Sequence, residues 1–167
     1  RLYTKALDYV FEEEIPKDKV VMDLFCGTGT IGQILSTRRS DVKIIGVDIV
    51  EEAIADAKRN AARNNITSIQ FFAADVGKFL KEHPEYNGKI STVILDPPRA
   101  GIAPKTLLKT IDLGADTIVY ISCNPSTQAR DTDTLIQGGY ELEKLTLVDQ
   151  FPHTGHIESI AKFKKKR

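Results

Sequence analysis

A chain of 167 residues makes one domain with a single core, and its 23 Lys+Arg balance 23 Asp+Glu. A formal charge of zero supplies no global field to attract a polyanion, so nucleic-acid binding would need charge sorted by face. Two cysteines outside any CxxC pair argue against a disulfide framework or a zinc site, no metal is expected, and no stretch approaches the roughly 18 apolar residues of a membrane span.

Taken in chain order, apolar runs alternate with helical periodicity. Tyr3, Ala6, Leu7 and Val10 follow the i, i+3, i+4, i+7 spacing of an amphipathic helix. Val20–Phe25 reads as a buried strand. Gly27–Ser36 reads as a glycine turn opening a helix, with Ile31, Ile34 and Leu35 turned inward. Lys43–Asp48 is a second strand. Glu51–Asn64 is a helix with Ala53, Ile54, Ala57 and Ala61 on one face and two acids in its first turn, which suits the positive end of the dipole. Ile69–Ala74 and Thr92–Asp96 are further short strands. Pro104–Leu113 is a helix with proline in its first turn, Thr117–Ser122 a strand, and Pro125–Gln137 a helix stopped by Gly138-Gly139.

Tyr140–Val148 and His156–Phe163 have no helix between them, so antiparallel pairing is open to them. Five helix-alternating strands plus this pair predict a doubly wound α/β sheet of seven strands, mostly parallel, with helices on both faces and an antiparallel terminal feature. The run from Lys162 to Arg167 reads as a solvated tail, with an RNA-contacting strip as the alternative. No signal peptide is visible, which points to an intracellular protein, and the opening Arg1-Leu2-Tyr3 without Met reads as a fragment.

Three turns carry candidate chemistry. Asp23-Leu24-Phe25-Cys26-Gly27-Thr28-Gly29-Thr30 ends the first strand, where Gly27 and Gly29 let backbone approach a ligand and a helix N-terminus follows. Asp48 ends the second strand, 19 residues after Gly29 (48 − 29), and can accept from both hydroxyls of a ribose. Asp75 ends the third strand, where it can meet an adenine amino group. For both acids a helix or turn cap is the competing reading. The spacing lacks the third glycine of a dinucleotide site and suits S-adenosylmethionine, which has no pyrophosphate. Cys26 reads as a small apolar residue packed under the loop.

The second turn is Asp96-Pro97-Pro98-Arg99, stiffened by two prolines and able to hold a carboxylate and a carbonyl against a substrate. Arg99 can contact a phosphate or a flipped base, or be a surface charge. The third is Ser122-Cys123-Asn124-Pro125. A buried strand delivers Cys123 into a turn at a helix N-terminus, a setting that favours a nucleophilic thiolate over an inert core thiol.

Asp23–Thr30, Asp96–Gly101, Ser122–Pro125 and Phe151-Pro152-His153-Thr154-Gly155-His156-Ile157-Glu158 together resemble the S-adenosylmethionine-dependent RNA 5-methyluridine methyltransferases, along essentially the whole chain. The resemblance implies a Rossmann-like class I methyltransferase fold and the catalytic domain only of that family, at residues 1–167. The family's upstream RNA-binding β-barrel, a Gln-containing segment that touches the cofactor, and the iron–sulfur cluster of some members are not in this sequence. Phe25, Thr30, Asp48, Asp75 and Asp96 fall where the family meets cofactor or target base, Cys123 on its nucleophile and Glu158 on its proton-abstracting carboxylate. Thr30 stands where bacterial members often have Asn, and Asp48 where many have Glu.

The implied reaction is methylation of uridine C5 in tRNA or rRNA, through a cysteine adduct at C6, with the base flipped out of its stack. His153 and His156 compete with Glu158 for the base role. Pro97 and Arg99 would face the substrate, and no obligate protein partner is implied. An RNA 5-methylcytosine methyltransferase would carry a cysteine just after the Asp-Pro turn, and an amino-group N-methyltransferase an aromatic residue there. Arg99 is neither. A non-catalytic RNA-binding module of the same fold is the reading from another class, and intact Cys123 and Glu158 speak against it.

Overall fold

The structure is a computed structural model that describes residues 2–151 and 156–167. Helix α1 (Leu2–Phe11) leads into β1 (Val20–Leu24), α2 (Thr30–Arg38), β2 (Ile44–Asp48), α3 (Glu51–Arg63), β3 (Ile69–Ala73) and α4 (Val76–Glu82). There follow β4 (Ile90–Leu95), α5 (Pro104–Asp112), β5 (Thr117–Ser122), α6 (Pro125–Gln137), β6 (Tyr140–Phe151) and β7 (His156–Lys165). The seven strands form one sheet in the order β3-β2-β1-β4-β5-β7-β6. The first five are parallel, and β7 runs antiparallel to both neighbours. This is the doubly wound architecture expected from the alternation of periods.

The inner strands β1, β2, β4 and β5 are buried on both sides because helices cover both faces, whereas the edge strand β3 is partly exposed. One layer joins Met22, Leu24, Val93, Leu95 and Tyr120 of the sheet to Val76, Phe79 and Leu80 of α4, Leu107 of α5 and Leu135 of α6. The other joins Val21, Ile44, Ile94 and Val119 to Leu7 and Val10 of α1 and Ile31 and Leu35 of α2. On α3, Ile54, Ala57 and Ala61 are buried, against Phe71. Ala53 and Ile34, expected inward, are only half-buried.

Helix α4 and the 3-10 turn Pro84–Tyr86 were not expected from the sequence. Seven residues give too few turns for periodicity to register. The helix is nonetheless real to its capping: Asp75 accepts the backbone N–H of Lys78 at 2.9 Å.

The solvated-tail reading holds for Lys165, Lys166 and Arg167, which are exposed, and is corrected for the residues before them. Lys162, Lys164 and Lys165 belong to β7, and Lys162 is fully buried. Its Nζ donates to Glu12 and Glu13 beyond the end of α1, each at 2.8 Å, and lies 3.4 Å from Glu143. Burial pulls the Lys162 pKa down, but the bonds to Glu12 and Glu13 more than offset it and hold the ammonium charged. Lys164 bonds Glu13 and Lys144 bonds Glu12. A run that looks solvated by composition therefore ties α1 to the antiparallel edge.

Candidate functional site

The candidate residues gather at the carboxyl ends of β1, β2, β4 and β5, where ligands bind in open α/β sheets. The turn after β1 is set by backbone geometry. Phe25 sits at φ 60, Gly27 at φ 56 and Gly29 at φ 75, so the chain reverses tightly before α2. A Cβ on Gly29 would come within 2.6 Å of the Phe71 ring, whereas one on Gly27 would meet nothing within 4 Å. Gly29 is thus needed for packing, and Gly27 leaves open space. The Gly27 N–H donates to Asp48 Oδ2 at 2.9 Å, and the Val50 N–H donates to Asp48 Oδ1 at 2.9 Å. Asp48 both fastens the glycine turn and closes a short turn ahead of α3, with lone pairs remaining on each oxygen. Asp75 caps α4 through one oxygen, so for both acids the turn or cap reading and the ligand reading coexist.

Two cavities adjoin here. One of ≈ 450 Å³ is lined by Phe25, Asp48, Ile49, Asp75, Asp96 and Pro98. The other, of ≈ 230 Å³, is lined by Tyr3, Asp23, Phe25, Gly27, Thr30 and Asp96 among others. Phe25 and Asp96 belong to both. A larger cavity of ≈ 510 Å³, around Val20, Lys43, Ser68 and Tyr86, lies at the opposite ends of the strands and brings none of the candidate residues together.

The acids at the smaller cavity perturb one another. Asp23 is 1 % exposed, and neither carboxyl oxygen has a hydrogen-bond partner among the described residues. Burial first, and then the carboxylate of Asp96, push its pKa up to about 8; the Gly32 amide draws it down without reaching hydrogen-bond geometry, and Asp48 pushes it up again. Asp96 is pushed up to about 6 by burial and by Glu158, eased by the Tyr3 hydroxyl, which donates to its Oδ2 over 3.5 Å. The Cys26 residue is half-buried, and its thiol is driven far above the ordinary thiol range by desolvation and by Asp23 and Asp48. It packs beside Gly46 and Phe71, as an apolar residue would.

Cys123 is half-buried at the turn after β5. Its turn is closed by Ser122, whose Oγ donates to the Asn124 carbonyl and accepts the Asn124 N–H, both at 2.9 Å. Asn124 caps α6 by accepting the Ser126 N–H, and its amide donates to the Arg99 carbonyl at 3.1 Å. Thr127 donates to the same carbonyl at 3.3 Å. Two turns 25 residues apart in sequence are thereby locked together. Pro97 is buried, while the Arg99 side chain is exposed and only its backbone makes these contacts.

The β5–β7 ladder ends with Ser122 opposite Ser159. Cys123 and Glu158 are the next residues on the two strands, at one lip of the sheet, and Glu158 is near enough to raise the pKa values of Asp96 and Tyr3. Gln128 of α6 fastens this lip from below. Its amide donates to the Tyr120 carbonyl at 3.1 Å, and its carbonyl accepts the Ser159 hydroxyl at 2.5 Å. The Tyr120 hydroxyl donates to Asp131 at 2.6 Å, which also accepts the Ile102 N–H. His153 lies outside the described residues, as does most of the loop before Glu158; His156 begins β7. Sequence reasoning assigned no role to Tyr3, Asp23, Gln128 or Ser159, since each acts through residues remote in the chain.

The arrangement fits S-adenosylmethionine: an open glycine turn, the acids Asp48, Asp75 and Asp96 around one cavity, and an orphaned buried carboxyl in the next. Comparison with known proteins agrees. A family model described as tRNA (uracil-5-)-methyltransferase matches residues 1–166. An uncharacterized RNA methyltransferase of Clostridium acetobutylicum is 43% identical over 166 residues, covering 99% of this chain and 35% of that protein. A 23S rRNA (uracil(1939)-C(5))-methyltransferase of Haemophilus influenzae is 41% identical over 166 residues, covering 99% and 36%. The chain thus spans about a third of the length of these curated relatives. Among solved structures, a Pyrococcus abyssi tRNA (uracil-54, C5)-methyltransferase in complex with S-adenosyl-L-homocysteine superposes with a TM-score of 0.76 at 33% identity, over 96% of this chain and 38% of that one. A precorrin-6y C5,15-methyltransferase of Geobacter metallireducens gives a TM-score of 0.77 at 14% identity, a likeness of fold alone.

Proposed function

The chain belongs to the tRNA (uracil-5-)-methyltransferase family, and from that premise we propose that residues 1–167 act as a catalytic domain methylating C5 of a uridine in tRNA or rRNA. The observation that carries the reading is the end of the β5–β7 ladder, which sets Cys123 and Glu158 at one lip beside Asp96. Phe25, Gly27, Gly29, Thr30, Asp48, Asp75 and Asp96 are assigned to the cofactor, and Pro97 and Arg99 to the flipped base and its backbone.

S-adenosylmethionine supplies, when bound, an electrophilic methyl group on a cationic sulfur. Uracil C5 is too weak a nucleophile to take it unaided. The Cys123 thiolate attacks C6, forming an S–C6 bond, and the C5=C6 pair moves toward the C4 oxygen as an enolate. That attack makes C5 the nucleophile for the methyl group the bound cofactor would supply, the bonding pair staying with the cofactor as a neutral thioether. Glu158 removes the proton from C5; its electron pair restores C5=C6 and expels the thiolate. Asn124 and Thr127 serve by holding the Arg99 carbonyl, so that the substrate turn and the nucleophile turn stay in register.

The test is trapping with target RNA carrying 5-fluorouridine, in which C5 bears no removable proton, so the methylated adduct persists. The full-length protein is expected to form a covalent complex stable to denaturing electrophoresis, and its Cys123→Ala variant to form none. With ordinary RNA, Glu158→Gln should accumulate the methylated adduct and release it slowly. An adduct surviving in Cys123→Ala would remove the nucleophile assignment; normal turnover in Glu158→Gln would move the base role to another residue.

A further inference from the structure

The substrate turn has little of its own to hold it. From Asp96 to Ala103 the chain forms neither helix nor strand, and Pro97 and Pro98 bring no N–H. Within the turn, the Gly101 N–H donates to the Pro98 carbonyl at 2.8 Å. Helix α6, whose N-cap Asn124 directly follows Cys123, grips the rest from outside. Asn124 and Thr127 hold the Arg99 carbonyl. One turn further along α6, Arg130 Nη2 donates to the Ala100 carbonyl at 3.3 Å and to the Ile102 carbonyl at 3.4 Å. Asp131 Oδ2 accepts the Ile102 N–H at 3.2 Å and the Tyr120 hydroxyl at 2.6 Å. Its Oδ1 accepts from Nε and Nη2 of Arg130, both at 3.2 Å. Gly101 sits at φ 82, and a Cβ there would come within 2.5 Å of Arg130 Nη2, so the turn lies directly against the guanidinium.

We propose that Arg130, set in place by Asp131, is a positioning residue for methyl transfer: its guanidinium pins the backbone of the substrate turn to the helix that follows the nucleophile, so that Pro97, Arg99 and Cys123 meet a flipped uracil in one geometry. This rests on the uridine reading above. A guanidinium is planar and carries five donors in a rigid fork, so it can hold two carbonyls and a carboxylate at once. The Asp131 side chain is 3% exposed and that of Arg130 55%. The buried carboxylate therefore fixes the direction of a side chain that would otherwise keep its rotamer freedom. Tyr120, fully buried three residues before Cys123, fixes the carboxylate in turn. A continuous path of bonds thus runs from β5 through Asp131 and Arg130 to Ala100 and Ile102, and returns from Arg99 to Asn124 beside Cys123. The reaction asks C6 to meet a sulfur and C5 to meet a methyl group in the same pose, and a misplacement of about 1 Å can cost about a hundredfold in rate. Contact with an RNA phosphate is the rival role for a half-exposed arginine, but Nε and Nη2 are already turned to the protein.

The test separates rate from binding in the full-length protein. Its substrate is tRNA and rRNA prepared from cells lacking the protein, with methyl incorporation from S-adenosylmethionine followed in a single turnover. At saturating RNA and cofactor, Arg130→Ala should lower the rate roughly tenfold. Affinity for S-adenosylhomocysteine by calorimetry and for the RNA by filter binding should not change. The melting temperature should fall by no more than about 3 °C, because the arginine is half-exposed. Arg130→Lys keeps the charge and lacks the fork, so it should be as slow as Arg130→Ala. Asp131→Asn, whose amide faces the guanidinium donors once its oxygen serves Tyr120 and Ile102, should also be slow. Combining Asp131→Asn with Arg130→Ala should be no slower than the slower single variant, since both act on one turn. The Arg130 variants carry the test if Asp131→Asn does not fold. An unaltered rate in either Arg130 variant overturns the proposal, and so does weaker RNA binding in Arg130→Ala with the saturated rate intact, which would make the arginine a phosphate contact. Losses that multiply in the double variant overturn it too, by showing that the two residues act apart. Absence of uridine methylation by the unaltered protein overturns the proposed function, and this inference with it.

Discussion

Asp23, Asp48, Asp75 and Asp96 are one residue type with four fates, decided by what each meets. Asp75 is exposed and Asp48 half-buried, and backbone amides satisfy both. Asp96 is partly covered and retains one long bond from Tyr3. Asp23 is fully enclosed and goes unmet. The consequence for stability has a definite sign. In the folded chain Asp23 keeps its proton to about pH 8, against about 4 for an unfolded aspartate, so the folded state binds more protons across that window. Stability contributed by Asp23 is therefore complete below about pH 4, falls as pH rises, and is lost above about pH 8. Asp23→Asn should remove this loss. Without ligand, its melting temperature should exceed wild type by roughly 5 °C at about pH 8.5, with the gap closing toward about pH 4, as followed by circular dichroism. A gap independent of pH would mean that the side chain is not ionising in the fold. The two cysteines make the same contrast: Cys26 is packed under the glycine turn as an apolar residue, and Cys123 is presented by a strand end.

At the scale of elements, the antiparallel turn of β7 is what unites the proposed nucleophile and base. Parallel strands alone would set residue ends in a row along one edge; β7 returns along β5 so that its early residues reach the same edge. Gln128 then fixes helix α6 to both strands, through the Tyr120 carbonyl and the Ser159 hydroxyl. Gln128→Leu leaves two buried polar groups unmet and should cost about 2 kcal/mol in stability by urea unfolding. Single-turnover methylation should fall roughly tenfold, with cofactor affinity unchanged, because the two cavities proposed for the cofactor lie over β1, β2 and β4. Adding Ser159→Ala should restore part of the stability, since the second orphan is then removed, but not the rate. An unchanged rate in Gln128→Leu would confine the residue to a structural role.

At the scale of the molecule, charge balance and topology pull apart. The sheet gathers acids at its carboxyl edge, which suits a cationic cofactor and repels phosphate, while Lys144, Lys162 and Lys164 are engaged with Glu12 and Glu13. Affinity of these 167 residues for RNA should therefore be weak and depend little on salt. Filter binding of transfer RNA at about 50 and about 200 mM salt should differ by less than tenfold, far below the change shown by proteins that neutralise many phosphates. A steep salt dependence would reveal a basic strip. Among the described residues, no helix is long and apolar enough to cross a membrane.

Periodicity and turn chemistry along the sequence determined the alternation of strands and helices, the antiparallel pair at the end, and the three turns that carry the candidate site. These are local properties: a strand's apolar run, a proline's fixed φ and a glycine's freedom act within a few residues. Helix α4 escaped because seven residues make too short a pattern, and the lysine run misled because composition does not say whether a strand continues. What only the tertiary structure decided was which charges are met. Lys162 is buried because β7 packs over the end of α1, and Asp23 is left alone because β1 lies in the middle of the sheet, between β2 and β4. Burial and pairing depend on residues more than a hundred positions away, as Lys162 and Glu12 show. A carboxyl's pKa is set by that surrounding, which no stretch of sequence contains.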